Sequence, residues 1–270
     1  DTTKNICISP SLMELFKTLF NKAIECRDPH YMQVISKLLL DIQRRAQDVF
    51  PFIFLCAPSG SGKSTLAYNL AADDRFATIY LVYSCNWDSN PQDIYKPFEE
   101  LSIALITAIM ADMRKIKAHL KSDVDVDADS VNTAEVKKLG KDICFETVQI
   151  IVQIFERMFA AKNRNPKLTW IEAQVSIDKY SEGALTIAQG TEILKRLGGD
   201  LQLIVFVDEC VLARDPKTLE VDTKKAAPLI FLRSVLRLMK TVPFLAGTDA
   251  TTSNFCTAIS SREGDLPALW

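Results

Sequence analysis

The chain has 270 residues, 48% of them hydrophobic and 24% charged, with a formal net charge of -2. That is enough apolar material for one large core or two modest ones. The near-neutral balance excludes a general field for nucleic acid or an anionic membrane, so either partner would need a local basic patch. No apolar run approaches the ~18 residues of a membrane-spanning helix.

Taken in chain order, residues 10–26 read as a helix that Pro10-Ser11 opens, with Leu12, Leu15, Phe16, Leu19 and Phe20 at helical spacing. Residues 29–48 read as a second helix, and Arg44-Arg45 suits its C-terminus. Phe52-Ile53-Phe54-Leu55-Cys56 is a short continuous apolar run, the pattern of a strand buried on both faces. A glycine-rich loop follows, then a helix over 65–72 and a second buried strand over 78–83. From about 92 to 198 the pattern is mostly helical, with long amphipathic stretches at 93–120 and 133–162. A further helix is expected over 180–196, ended by Gly198-Gly199. Strand character returns at 201–207. A helix is expected at 227–240, and a fourth strand at 242–246, where Pro243 marks a strand start or an edge. The predicted fold class is α/β: a three-layer arrangement with a central, mainly parallel sheet, N-terminal helices and a large helical insertion. The expected division is 1–49 as a helical segment and 50–270 as the main domain, with the insertion at about 92–198.

The seven cysteines (Cys7, Cys26, Cys56, Cys85, Cys144, Cys210 and Cys256) are odd in number and spread out. No pair has the spacing of a zinc knuckle. They read as buried reduced thiols, which implies a reducing compartment. The chain opens on Asp1 rather than Met, so it is expected to be a fragment whose targeting information lies elsewhere.

The sharpest motif is Ala57-Pro58-Ser59-Gly60-Ser61-Gly62-Lys63-Ser64, with Thr65 behind it. A triphosphate needs several backbone N–H donors converging on its oxygens. Gly60 and Gly62 permit a path that side chains would block. A helix starting near Gly62 aims its N-terminal dipole at the phosphates. Lys63 brings a point charge to the outer phosphates, and the Ser64 hydroxyl suits magnesium. The first position is Ala57 where the motif has glycine. The second element is the strand Ile204-Val205-Phe206-Val207 ending in Asp208-Glu209. In phosphate-loop enzymes such an Asp holds the magnesium, and Glu209 suits a general base for water. Because side chains alternate along a strand, the two carboxylates are expected to diverge.

The third element is Gly247-Thr248-Asp249 after the fourth strand, where Thr248 or Asp249 suits a contact near the outer phosphate; a plain turn is the competing reading. Arg233 and Arg237 stand four apart on a helix. They read either as fingers toward a neighbouring subunit's nucleotide, a surface for self-association, or as solvated or paired side chains; Arg262 is similar. The acidic run 123–129 lacks the glycine and the closing Glu of a calcium loop. His30 and His119 are isolated, and Trp87, Trp170 and Trp270 read as packing residues.

The motif order, together with Ile79-Tyr80-Leu81-Val82-Tyr83, Gln92-Asp93-Ile94-Tyr95, Leu245-Ala246-Gly247-Thr248-Asp249 and Ser253-Asn254, resembles P-loop ATPases of the additional-catalytic-glutamate branch that holds the AAA+ and STAND proteins. Within it the chain looks like the ATPase region of Crinkler-type effectors of oomycetes and fungi, over about residues 50–260. The resemblance implies that the fourth strand lies between the first and third. It also implies a secreted effector acting inside host cells, with the nucleus among its locations, as one module of a larger protein. Otherwise a cytoplasmic protein is expected. Such modules often precede a nuclease-like domain, which is not visible in this sequence and is expected beyond Trp270. The AAA+-type helical lid is missing or replaced by the insertion. Three activities follow as expectations: hydrolysis of ATP with Mg2+, a slow nucleotide-gated switch for a partner domain, or phosphoryl transfer to an acceptor held by the insertion. No guanine-reading Asn-Lys-x-Asp motif is present, so ATP is the default nucleotide.

Overall fold

The computed structural model describes residues 3–5, 10–44, 52–56, 61–83, 93–120, 133–177, 179–210 and 223–247. Four parallel strands form its centre. In chain order they are β2 (Ile53–Cys56), β3 (Phe76–Val82), β5 (Gln202–Asp208) and β6 (Val242–Gly247). Their order across the sheet is β2-β6-β5-β3, so the last strand lies between the first and the third. Every residue of β3, β5 and β6 is buried, which is why each reads as a mostly apolar run without alternation. Pro243 lies at the start of β6, as one reading had it. It is not on an edge, because β6 is an interior strand. Its missing N–H is tolerable only at the strand's beginning.

The N-terminal helices are α1 (Pro10–Glu25) and α2 (Pro29–Arg44), and α3 (Lys63–Ala71) follows β2. Phe16 of α1 meets Tyr68 of α3 edge-on at 6.1 Å and Phe98 at 5.7 Å; Tyr68 lies 5.4 Å from Tyr80 of β3. Thus α1, α3 and a 3-10 helix over Asp93–Phe98 share one aromatic layer with the sheet. A two-strand pair, β1 (Thr3–Asn5) with β4 (Lys179–Ser181), ties the N-terminus to the insertion. Residues before position 50 and within 92–198 belong to the same continuous core as the sheet.

The insertion holds α4 (Glu99–Leu120), α5 (Thr133–Leu139), α6 (Glu146–Arg164), α7 (Trp170–Val175) and α8 (Ile187–Gly198). The amphipathic stretch 133–162 divides into two helices. Gly140 closes α5 with its N–H on the Val136 carbonyl at 2.7 Å, and a Cβ there would lie 2.6 Å from Ile187 Cδ1. The next helix then starts afresh, capped from outside: Asp112 of α4 accepts the Glu146 and Thr147 N–H groups at 3.0 and 2.8 Å. The expected helix over 180–196 begins only at Ile187. Its first residues form β4, and a Thr186/Gln189 capping box sets the real start. After β5, α9 (Thr223–Leu238) leads back to β6.

No helix among the described residues is long and apolar enough to cross a membrane. Of the cysteines whose side chains are described, Cys26, Cys144 and Cys210 are free, and Cys210 is buried while Cys26 and Cys144 are exposed, against the expectation of buried thiols. Trp170 packs as expected, with 2% of its surface exposed.

Candidate functional site

Parallel strands gather their C-terminal ends at one edge, and helix starts collect there too. Cys56 pairs in register with Gly247, and Val82 with Asp208, so the sequence-marked positions of all four strands lie at that edge. Gly62 is the N-cap of α3 with φ 91°, a left-handed angle that favours glycine. The space around it is open, since a Cβ would meet nothing nearer than Thr65 Cβ at 3.9 Å. The backbone angle, rather than crowding, therefore calls for glycine. Lys63 follows as the first helical residue and is only 8% exposed.

Ser64 meets the acidic strand directly. Its hydroxyl donates to Asp208 Oδ2 at 2.5 Å, across 144 residues of chain. The same oxygen accepts the Tyr80 phenol at 2.7 Å, and Oδ1 accepts the Glu209 N–H at 2.9 Å. Asp208 is 1% exposed. The backbone of this segment is pinned from both sides. The Tyr83 N–H donates to the Asp208 carbonyl at 2.8 Å, and the Cys210 N–H donates to Ala246 at 2.8 Å.

Glu209 leaves the strand with φ 54°, the left-handed region that few non-glycine residues occupy. β5 ends at Asp208, so Glu209 sits in this turn rather than in the strand, and the two carboxylates take different partners. Glu209 Oε1 accepts the Tyr95 phenol at 2.9 Å. Three tyrosines therefore surround the acidic pair. Burial, then the Asp208 carboxylate, pushes the Tyr80 and Tyr68 phenols well above their ordinary values. Burial, then Asp208 and Glu209, does the same to Tyr95. All three stay protonated, so Tyr80 and Tyr95 remain donors. The Tyr68 hydroxyl approaches Tyr80 without forming a well-aligned hydrogen bond. Burial and Asp208 likewise raise the Cys210 thiol, which keeps it neutral beside the pair.

Of the sequence-marked residues, Ser61, Gly62, Lys63, Ser64, Thr65, Asp208 and Glu209 come together here. Ala57, Pro58, Ser59 and Gly60 lie outside the described residues, as do Thr248, Asp249, Arg262 and the acidic run. Arg233 and Arg237 do not form an outward surface. They are 0% and 4% exposed, and both guanidinium groups lie over the Phe52 ring, at 4.9 and 5.5 Å. Phe52 precedes β2, so both arginines sit at the opposite end of the sheet from Ser64 and Asp208. This removes the expected arginine surface for self-association.

Sequence reasoning did not single out Tyr80 or Tyr95 for a role. A signal existed for Tyr80: a phenol in the middle of a fully buried strand must find a polar partner. No family model, curated protein or solved structure matches the chain.

Proposed function

We propose that this chain is a P-loop NTPase of the additional-catalytic-glutamate kind, which binds ATP with Mg2+ and hydrolyses it. The observation that carries the reading is the 2.5 Å hydrogen bond from Ser64 to Asp208. It joins the helix behind the glycine-rich loop to the acidic strand end, the two places the motif's chemistry needs adjacent. The β2-β6-β5-β3 order supports the same reading, because the loop-bearing and acid-bearing strands are separated by one strand whose end also reaches the site.

The residues fit magnesium. Among the described residues no three His, Cys, Asp or Glu side chains gather as a metal cage. One hydroxyl and one carboxylate in contact suit an ion that keeps its waters and takes few protein ligands. Ser64 and Asp208 would hold it, and the ion would neutralise charge on the phosphate oxygens. Lys63 would place its ammonium on the same oxygens. Glu209, fixed by Tyr95, would accept the proton of the attacking water. A nucleotide-gated switch is the second reading, favoured by the Tyr95 hydrogen bond, which occupies one oxygen of that base. An effector role inside a host cell rests on the Crinkler resemblance alone.

Phosphate release from purified protein with ATP and with GTP tests the reading, alongside calorimetry on Lys63→Ala. Loss of ATP binding in that variant is expected. Unchanged affinity would remove the phosphate-loop assignment, and a phosphorylated acceptor in place of free phosphate would make the protein a transferase.

A further inference from the structure

The helical insertion reaches the acidic pair through one buried contact. Tyr80 lies on β3, one of the two edge strands of the four-strand sheet among the described residues. On the open side of that edge its backbone N–H and C=O would lack strand partners, a cost for buried groups. Gln174 of α7 supplies both. Its Oε1 accepts the Tyr80 N–H at 2.8 Å, and its Nε2 donates to the Tyr80 carbonyl at 2.7 Å. Gln174 is 2% exposed and Tyr80 0%.

The short helix that carries Gln174 is itself held firmly. Thr169 and Glu172 form a reciprocal capping box at its start, and Trp170 packs edge-on against Phe159 at 4.9 Å. The Tyr80 ring has no room to swing. Phe98 lies 4.8 Å away, Tyr68 5.4 Å and Phe206 6.0 Å. Tyr80 pairs in register with Phe206 and Val82 with Asp208, so the phenol reaches diagonally along one face of the sheet to Asp208 Oδ2. That oxygen also receives the Ser64 hydroxyl.

We propose that Gln174 and Tyr80 are positioning residues for the metal-binding carboxylate: the insertion sets the orientation of Asp208 through the Gln174 clamp and the Tyr80 phenol. The proposal rests on the reading of the site as a magnesium–nucleotide site. Its chemical consequence is metal selectivity. Mg2+ demands near-ideal octahedral geometry, while Ca2+ accepts a flexible ligand arrangement. A carboxylate released from its tether loses more affinity for Mg2+ than for Ca2+. Movement of α7, by whatever binds the insertion, changes the same quantity.

The molecule supplies a matched control. Gln153 clamps the Ser181 N–H and carbonyl at 2.8 and 2.9 Å in the same way, on a strand outside the central sheet. Removing that clamp tests the loss of a buried clamp without touching Asp208.

The test is ATP affinity by calorimetry on the full chain in EDTA, in Mg2+ and in Ca2+. It is run for wild type, Tyr80→Phe, Gln174→Met, both together, and Gln153→Met, each confirmed folded by circular dichroism. The Mg2+-dependent gain in affinity is expected to fall about tenfold in Tyr80→Phe and in Gln174→Met, as losing a hydrogen bond to a charged group should do. The Ca2+-dependent gain and the EDTA affinity hold within about twofold, and the double variant is no worse than Tyr80→Phe alone, because residues acting in series do not add. Gln153→Met behaves as wild type. A wild-type gain that survives in both site variants overturns the relay and leaves the nucleotide site standing. Additive losses in the double variant, or equal losses with Mg2+ and Ca2+, also overturn it. A wild type that binds no nucleotide overturns the site reading itself, and the relay with it. Should Gln174→Met fail to fold, Tyr80→Phe keeps the ring and decides by its Mg2+-to-Ca2+ ratio.

Discussion

Tyr95→Phe removes one hydroxyl and leaves the ring. In the structure that hydroxyl donates to Glu209 Oε1 at 2.9 Å, and burial with the two carboxylates keeps it protonated. A hydrogen bond to a charged group is worth about 1.5–3 kcal/mol net. Tyr95 is only half-buried, so the low end applies. About 1.5 kcal/mol corresponds to roughly tenfold in rate if the bond orients the base in the transition state. The assay is phosphate release at saturating ATP and Mg2+, with ATP affinity measured separately. The expected result is kcat down about tenfold with affinity within about twofold, and no further loss when Tyr95→Phe is added to Glu209→Gln. The fall should be flat from pH 6 to 9 on the scale of ordinary titrations, since a phenol pushed above its usual value of ~10 does not ionise there. An unchanged kcat, or the same tenfold loss without the Glu209 carboxylate, would refute the assignment. A rise in kcat would show that Tyr95 restrains the base and would favour the switch.

Two further outcomes concern the frame around the site. Asp112 is fully buried and accepts the Glu146 and Thr147 N–H groups and the Lys115 ammonium at 3.2 Å. Asp112→Ala leaves the start of α6 uncapped, and a loss of about 2–4 kcal/mol is expected in denaturant unfolding; under about 0.5 kcal/mol would mean that α6 is capped some other way. Asp73 is held below the usual carboxylate range: burial opposes this, but hydrogen bonds from Arg75 and the charges of Arg75 and Arg27 prevail. A carboxylate lowered in the folded state stabilises above its unfolded value, ordinarily 3.8, and the benefit disappears as pH falls through the folded value. Asp73→Asn should therefore be less stable than wild type near pH 6, and the deficit should shrink as pH falls through the folded value; a deficit that grows in acid would contradict the sign.

Much of the site was legible because it is written in short, contiguous patterns. The left-handed glycine at 62, the lysine and serine at the helix start, and the acidic pair ending an apolar strand each declare themselves within a few residues. Tyr80 and Gln174 do not, because their contacts join residues 94 apart, and a buried glutamine inside a helix looks like any other. The helix boundaries inside the insertion failed for a different reason. Apolar residues continue past Gly140 and between 180 and 186, so their spacing alone does not place the breaks. The Thr169–Glu172 and Thr186–Gln189 pairs were readable as capping boxes and mark the true starts of α7 and α8. The arginines at 233 and 237 misled because four-residue spacing shows that two side chains share a helix face but not whether that face looks outward.

The position of β6 between β2 and β5 also fixes when the site can exist. It is the last described strand to be synthesised, yet the strands on either side of it have no direct ladder to each other. Without residues 242–247, β2 and β5 each lack the neighbour they pair with on that side. The Ser64–Asp208 contact, spanning 144 residues, waits on that neighbour. Contacts this distant in sequence form slowly and leave unpaired edges vulnerable to association. A chain interrupted before residue 242 would thus carry the loop and the acidic pair in its sequence without bringing them together in space.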